Sequence, residues 1–542
     1  MKRIVRASLV ALAAACATTA PQWPEGRDAS ADRFKAHVET LASDAYEGRE
    51  AGTDGYRKAV DYLTGQLAAL GVEPAGTDGY LQPVPLRRAL RDVDAMVLSY
   101  AGADGGAATL EPLADYLLDA PVGTDAAAVS ARAAASGEIV FAGYGIDAPG
   151  LGVDSYEDLD VTGKIVLLLQ GAPDGLPSEE RAHFVRGSSK IEEAARRGAA
   201  GVLFLGTRGA DEAGFAEGIA RLAGAPSDTF AGRGAARGDV VSGYLFRDAA
   251  RAMFARLGAT DYDVAITPDA DGRVAPFALG ATASLETAAT YENYASPNVV
   301  GVIEGSDPAL RDEYVVLSAH LDHEGVGEAP EDDPDADVIY NGAMDNATGI
   351  ATMLEAARRF AKAADRPKRS VLFLAVTAEE KGLLGSDYFA RNPSVDGEIV
   401  ANVNLDMPVL LYDFEDVIAF GAEHSSMEPL VREAARSMGV GLTPDPYPEM
   451  VLFVRSDHYS FVKQGVPSVF LFLGVENGGE DAFQTFMRTH YHRVSDQPDL
   501  PIRYDTGAKF AELNYRIART LADAEQAPAW NDGDFFGGLY AR

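Results

Sequence analysis

Val371-Leu-Phe-Leu-Ala-Val-Thr-Ala-Glu379-Glu380 joins an unbroken apolar run to two adjacent carboxylates. A segment apolar at every position suits a central strand covered by helices on both faces, not one with a wet side. The same alternation surrounds it. Upstream stand the apolar runs Val299 to Ile303 and Tyr314 to Ala319 and a helical pattern from Gly349 to Ala364. Downstream come a helix near Gly382 to Arg391, the runs Ile399 to Leu405 and Val417 to Phe420, and a helix from Met427 to Met438. The run Ser468 to Leu473 and a closing helix from Thr506 to Ala524 complete the series. This rhythm predicts an α/β fold with a mixed, mostly parallel central sheet flanked by helices, whose ligands collect at the carboxyl ends of the strands.

The charged residues fall at those ends. His320 and Asp322 follow one run, Glu379 and Glu380 the next, and Asp406 a third. Asp345 lies in Asn341-Gly-Ala-Met-Asp345-Asn-Ala-Thr-Gly349, directly before a helix, and His492 lies in a polar loop beyond Leu473; six of the eight histidines fall between His320 and His492. Singly, each has an ordinary structural explanation: a strand end, a helix cap, a solvated turn. Jointly they do not, because adjacent carboxylates at a buried edge repel unless a cation or a proton neutralises them. Imidazole and carboxylate without thiolate suit Zn(II) or a comparable borderline divalent ion.

Five segments in this order resemble the signatures of the dizinc aminopeptidases, metallopeptidase family 28. They are Ser318-Ala-His320-Leu-Asp322-His323, Asn341 to Gly349, Thr377-Ala-Glu379-Glu380-Lys-Gly-Leu-Leu-Gly-Ser386, Asn404-Leu-Asp406-Met407 and Tyr491-His492-Arg-Val-Ser-Asp496. The resemblance implies a zinc exopeptidase fold of the phosphorylase/hydrolase-like kind and two Zn(II) ions. It implies that His320 and Asp406 hold one ion, Glu380 and His492 the other, and that Asp345 bridges them. It further implies Glu379 as general base and Asp322 as the carboxylate orienting His320. Asp496 is a second candidate orienting carboxylate, with a surface cap as the alternative, and His458 in Ser456-Asp457-His458 is a candidate for contact with substrate or oxyanion. The family also holds carboxypeptidases, glutaminyl cyclases and a metal-free receptor, so membership alone leaves activity open.

Between about Leu90 and Ala288 the texture turns Gly- and Ala-rich, with short β-like runs at Glu138 to Ala142, Lys164 to Leu169 and Gly201 to Leu205. Ala126 to Ala135 reads as loop or frayed helix. Gly137-Glu-Ile-Val-Phe-Ala-Gly-Tyr-Gly-Ile146, Asp158 to Val166 and Ala194 to Leu205 resemble a protease-associated domain, which implies an insertion that helps cover the active-site cleft. The expected organisation is a signal segment at 1–16, an N-terminal peptidase part at 27–104, the insertion at 105–288, the main peptidase domain at 289–525 and a tail at 526–542. Two helices, Arg33 to Leu41 and Tyr56 to Leu70, open the mature chain.

Acidic residues number 82 against 47 basic, a net charge of −35 over 542 residues, which repels phosphate backbones and argues against nucleic-acid binding. At 47% hydrophobic and 24% charged, the chain is neither disordered nor fibrous. Lys2, Arg3 and Arg6 precede the apolar run Leu9 to Ala15, which is too short to span a bilayer and suits an export signal. Leu12-Ala-Ala-Ala-Cys16 resembles a bacterial lipobox, with Cys16 as the lipidated residue; an ordinary signal peptide is the alternative. The expectation is an exported, periplasmic or cell-envelope lipoprotein of a bacterium, meeting the membrane only through that anchor and acting on peptides, its oligomeric state open. Removal of N-terminal residues is the leading activity. The alternatives are a carboxypeptidase or dipeptidase of the glutamate carboxypeptidase type, or a surface-binding protein without turnover.

Overall fold

Two amphipathic helices begin the described chain, α1 (Arg27–Leu41) and α2 (Asp54–Leu70). The computed structural model describes residues 27–541 apart from 124, 126, 207–211, 213, 234–236 and 271, so the expected signal segment and Cys16 lie outside the described residues. Thr53 caps α2 by accepting from the Tyr56 amide, and Gly71 ends it with φ +76°, a conformation that glycine adopts without strain. Tyr56, Ala59, Val60, Leu63 and Leu67 face inward at helical spacing.

The chain then enters the middle region. Strand β1 (Leu81–Arg91) leads to β2 (Ser130–Phe141), β3 (Ile165–Leu169), helices α3 (Ser178–Val185) and α4 (Gly187–Arg196), β4 (Gly201–Leu205) and β5 (Val241–Leu245). The strands β2, β3, β4 and β5 pair in parallel, with separate apolar clusters on their two faces. The Ala-rich stretch expected as loop or frayed helix is largely strand: Ser130 to Ala135 belong to β2 and pair with residues 285–290. Alanine's helical preference is worth only a fraction of a kcal/mol per residue, and a full ladder of cross-strand bonds overrides it.

That ladder is shared with β6 (Phe277–Ile303), a strand of 27 residues. Its first half pairs with β2, its middle with β1, and its last five residues with the peptidase sheet. The boundary expected between 288 and 289 thus falls inside one continuous strand, and the middle region is joined to the sheet by hydrogen bonds as well as by linkers.

Beyond β6 the sheet is the one the apolar runs predict. Strands β7 (Glu313–His320), β8 (Ser370–Val376), β9 (Glu398–Asn404), β10 (Asp416–Phe420) and β11 (Ser468–Leu473) assemble in the order β6, β8, β7, β9, β11, β10. β8, β7, β9 and β11 are mutually parallel, while β6 and β10 flank them antiparallel. β8 is buried at every residue, beneath α5 (Thr348–Lys362) and α6 (Tyr504–Asp523) on one side and the Phe389 and Phe461 cluster on the other. Because β7, β8 and β9 run the same way, their carboxyl ends share one edge. The tail also packs: a short helix, Phe535–Tyr540, buries Phe536. No helix among the described residues is long and apolar enough to cross a membrane.

Candidate metal centre and active site

The three parallel strand exits deliver their acids and imidazoles to one place. His320, the last residue of β7, puts Nε2 3.1 Å from Asp406 Oδ1 and 3.2 Å from Asp345 Oδ1. The other Asp345 oxygen, Oδ2, lies 3.2 Å from His492 Nε2, and that nitrogen is 3.1 Å from Glu380 Oε2. Asp345 therefore turns one oxygen to each histidine, with Asp406 completing one group and Glu380 the other. His320 and Asp345 are buried, Glu379 and Glu380 are half-buried, and the His492 side chain is 34% exposed at the mouth.

The supporting contacts are specific. Asp496, wholly buried, accepts from the amides of Met344 and Asp345 at 3.0 Å each, so it fixes the loop that carries the bridging carboxylate and is no surface cap. Asp322 is also buried, but its expected contact is reversed. Its main-chain carbonyl faces His320 Nδ1 at 3.1 Å, while its carboxylate accepts the amides of Glu379 (3.1 Å) and Glu380 (3.4 Å). It orients the β8 exit with its side chain and the histidine with its backbone. Ser456 donates to Asp406 Oδ2 at 2.5 Å.

His458 is placed differently from the sequence expectation. It is fully buried between the rings of Phe453 and Phe470, does not line the pocket at the ligand cluster, and is pushed down to about 3 by burial. A neutral imidazole among aromatics is a core residue.

Three residues outside the candidate set complete the site. His323 Nδ1 meets Glu380 Oε1 at 2.7 Å, leaving Oε2 for the His492 side. Glu324 lies 3.7 Å from His492 Nδ1. Arg49, 1% exposed, donates to four main-chain carbonyls: Leu41, Leu321, Asn341 and Gly342. It braces the loops bearing His320 and Asp345 from beneath. Adjacency to the motif could have pointed to His323 and Glu324; nothing local points to Arg49.

The electrostatics state what the cluster lacks. Burial alone would lower His320, yet the carboxylates of Asp406 and Glu379 hold it well above its ordinary range. Burial pulls His492 down, but Asp345 and Glu380 raise it to about 10. Burial together with the neighbouring Glu380 charge pushes Glu379 well above the usual carboxylate range. Asp457 is fully buried with neither oxygen in a hydrogen bond, and burial raises it to about 7. Buried carboxylates in this excess over imidazoles need cations. His320, Asp345 and Asp406 present donors mutually within 4.8 Å, as do His323, Asp345 and Glu380, and an all-nitrogen-and-oxygen set fits borderline divalent ions.

A pocket opens on this cluster. Met407, Leu452, Phe470, Phe472 and Met487 form its apolar wall, and Arg455 and Tyr491 its polar lip, with Arg455 Nη2 donating to the Tyr491 hydroxyl at 3.1 Å.

A parallel sheet that gathers buried carboxylates and imidazoles at its strand ends beside a pocket places a candidate site for divalent metal ions there. Residues 298–518 match the model for peptidase family M28. Among curated proteins, a "probable leucine aminopeptidase 2" of Aspergillus oryzae is 27% identical over 263 residues, 45% of this chain and 48% of that protein. A "Probable zinc metalloprotease" of Pyrenophora teres f. teres is 36% identical over 118 residues, 20% of this chain and 22% of that protein. The chain thus spans from about a fifth to about half the length of these relatives. Among solved structures, the aminopeptidase from Aneurinibacillus sp. strain AM-1 is 20% identical with a TM-score of 0.46, covering 92% of this chain and 94% of that one.

Proposed function

We propose that this chain is an exported dizinc aminopeptidase. The observation that carries the reading is Asp345, whose two carboxylate oxygens face two separate histidines, each backed by a further carboxylate. His320 and Asp406 would hold one Zn(II), His492 and Glu380 the other, and Asp345 both. Bound zinc supplies Lewis acidity toward the scissile carbonyl and the attacking water.

The chain's own residues do the rest. Glu379 takes a proton from the attacking water and delivers it to the leaving amine nitrogen. Its carboxylate is held at the pocket by the Asp322 bonds to the Glu379 and Glu380 amides. Tyr491, fixed by Arg455, offers its hydroxyl to the carbonyl oxygen as that atom gains charge. The apolar wall takes the substrate's first side chain, which favours Leu, Phe or Met there. Carboxylates crowd the metal end, where an α-ammonium group would sit, which supports an aminopeptidase over a carboxypeptidase. The name of the Aspergillus relative points the same way.

The region from 105 to 288 serves as a protease-associated insertion beside the cleft. Its contact with the site runs through α3, where His183 meets the Tyr459 hydroxyl at 2.6 Å, three residues beyond Ser456. The N-terminal signal and the lipobox-like Cys16 support a bacterial cell-envelope location. The test is digestion of a peptide library with free and acetylated amino termini, with and without chelator, alongside zinc analysis. Two zinc ions per chain and stepwise loss of N-terminal residues from unblocked peptides alone are expected. Cleavage that ignores N-acetylation or survives chelation would overturn the reading.

A further inference from the structure

In a chain of net charge −35, one cleft carries the opposite sign. It has a volume of about 260 Å³ and lies between the middle region and the peptidase sheet. Arg186, Arg233 and Arg237 line it from one side, Arg391 and Lys463 from the other.

Most of these cations are already matched. Asp387 is shared by Arg233 (3.0 Å) and Arg391 (2.6 Å), Glu192 is paired with Lys463 (3.1 Å), and Arg237 lies 3.8 Å from Asp119. The remaining lining acid, Asp228, is taken up by Arg88 at 3.5 Å and the Tyr294 hydroxyl at 2.7 Å. Arg186 has no carboxylate partner among the described residues. It donates to the Val454 carbonyl and lies over the Tyr459 ring, half-buried, with donors to spare. The first turn of α4 begins directly after it, without a side-chain cap, and Ser188 of that turn lines the same cleft. Uncapped helical amides and an uncompensated guanidinium together make a site for an anion.

The cleft and the catalytic pocket have no lining residue in common, but two chain segments run from one to the other. Gly382, which lines the cleft, donates its amide to the Glu379 carbonyl at 2.8 Å and accepts from Arg233. Val454, which receives Arg186, immediately precedes Arg455 and Ser456 of the pocket. Each residue of an extended peptide held by its first residue in the pocket adds about 3.3–3.6 Å of reach.

We propose that Arg186, with Arg233, Arg237 and the first turn of α4, binds a carboxylate of the peptide substrate, so that short peptides with a free C-terminus are the preferred substrate class. This rests on the aminopeptidase reading. A metal-proximal pocket that receives the α-ammonium end and a cationic cleft that receives the α-carboxylate end would together measure a short peptide.

The test compares Leu-Gly-Gly as free acid, Leu-Gly-Gly-amide and Leu-Glu-Gly-amide with the full chain loaded with zinc. The free acid is expected to have a KM about tenfold below the amide's, as one charge-assisted contact allows. Added salt should narrow that gap. In Arg186→Gln the acid-to-amide ratio should fall to near one, and Arg186→Lys should restore part of it. If Leu-Glu-Gly-amide instead matches the free acid, an acidic side chain is the bound group and the C-terminal assignment falls. Equal KM values for acid and amide in the wild-type protein overturn the inference without any variant. If no peptide is cleaved, the aminopeptidase reading fails. Calorimetry of acid against amide binding to the chelator-treated protein then decides the cleft separately.

Discussion

Arg49→Met should destabilise the protein and weaken its hold on zinc, although Arg49 touches none of the proposed metal ligands. Its guanidinium satisfies the carbonyls of Leu41, Leu321, Asn341 and Gly342, all shielded from water with it. Methionine fills a similar volume and offers no donor. Leaving a buried acceptor unpaired costs about 1–3 kcal/mol. Four acceptors at the lower end, chosen because loss of the buried charge returns part of the cost, amount to about 4 kcal/mol. At about 2–4 °C per kcal/mol for a unit of 150–250 residues, the midpoint of thermal unfolding falls by about 10 °C. Arg49 also carries a positive charge beneath Asp322, Asp345, Glu380 and Asp496, so its loss loosens the loops on which His320 and Asp345 sit. Zinc affinity should drop by about 10- to 100-fold, the scale of changes behind a metal ligand. Differential scanning calorimetry of the chelator-treated proteins reads the first effect, and competition with a fluorescent chelator reads the second. Arg49→Lys, which can reach only some of the four carbonyls, should fall between. A midpoint lowered by less than about 3 °C, with zinc affinity unchanged, would refute the bracing role.

Glu379→Gln should lower kcat by about 10²- to 10⁴-fold while leaving zinc content at the wild-type level, since the residue moves a proton and holds no ion; elemental analysis and steady-state kinetics on leucyl peptides check both. Asp345→Asn should instead reduce bound zinc below two per chain, because a neutral amide cannot serve two cations, and the same elemental analysis decides it. His424 supplies a pH dependence remote from the metal site. Burial would lower it, but Asp534 of the tail and Glu179 of α3, 2.5 and 2.7 Å away, raise it to about 10. A folded value above the ordinary 6.5 means a contribution fully present below about pH 6.5 and lost as pH climbs through 10. His424→Gln should therefore cost about 3 kcal/mol near neutrality, and the gap in thermal midpoint between wild type and variant should close from pH 7 to pH 10. A gap constant across that range would show that the imidazole is not charged there.

What the sequence makes legible and what it hides divide along one physical line. The strands β8 and β11 are apolar at every position after their first serine and β7 and β9 carry shorter apolar runs, a pattern that is local and so survives without coordinates. Strand direction then places His320, Glu379, Glu380 and Asp406 on one edge, because parallel strands end together. The contacts that set each donor's orientation are not local. Asp496 reaches Asp345 across 151 residues and Arg49 reaches Asn341 across 292, from a polar stretch that reads like any surface turn. The same separation explains Asp322. Its side chain lies close enough in sequence to His320 to suggest an orienting pair, but the β8 exit, 57 residues on, offers two unpaired amides, and a buried carboxylate gains more from two N–H donors than from one imidazole. The strand β2 was hidden for a related reason, since its alanines become strand only through the partner β6 supplies from more than a hundred residues away. Ligand identity is therefore written in short motifs, whereas the protonation and aim of each ligand are written in the packing of distant segments. Function in this chain should accordingly be as sensitive to Arg49, His323 and Asp496 as to the ligands they hold.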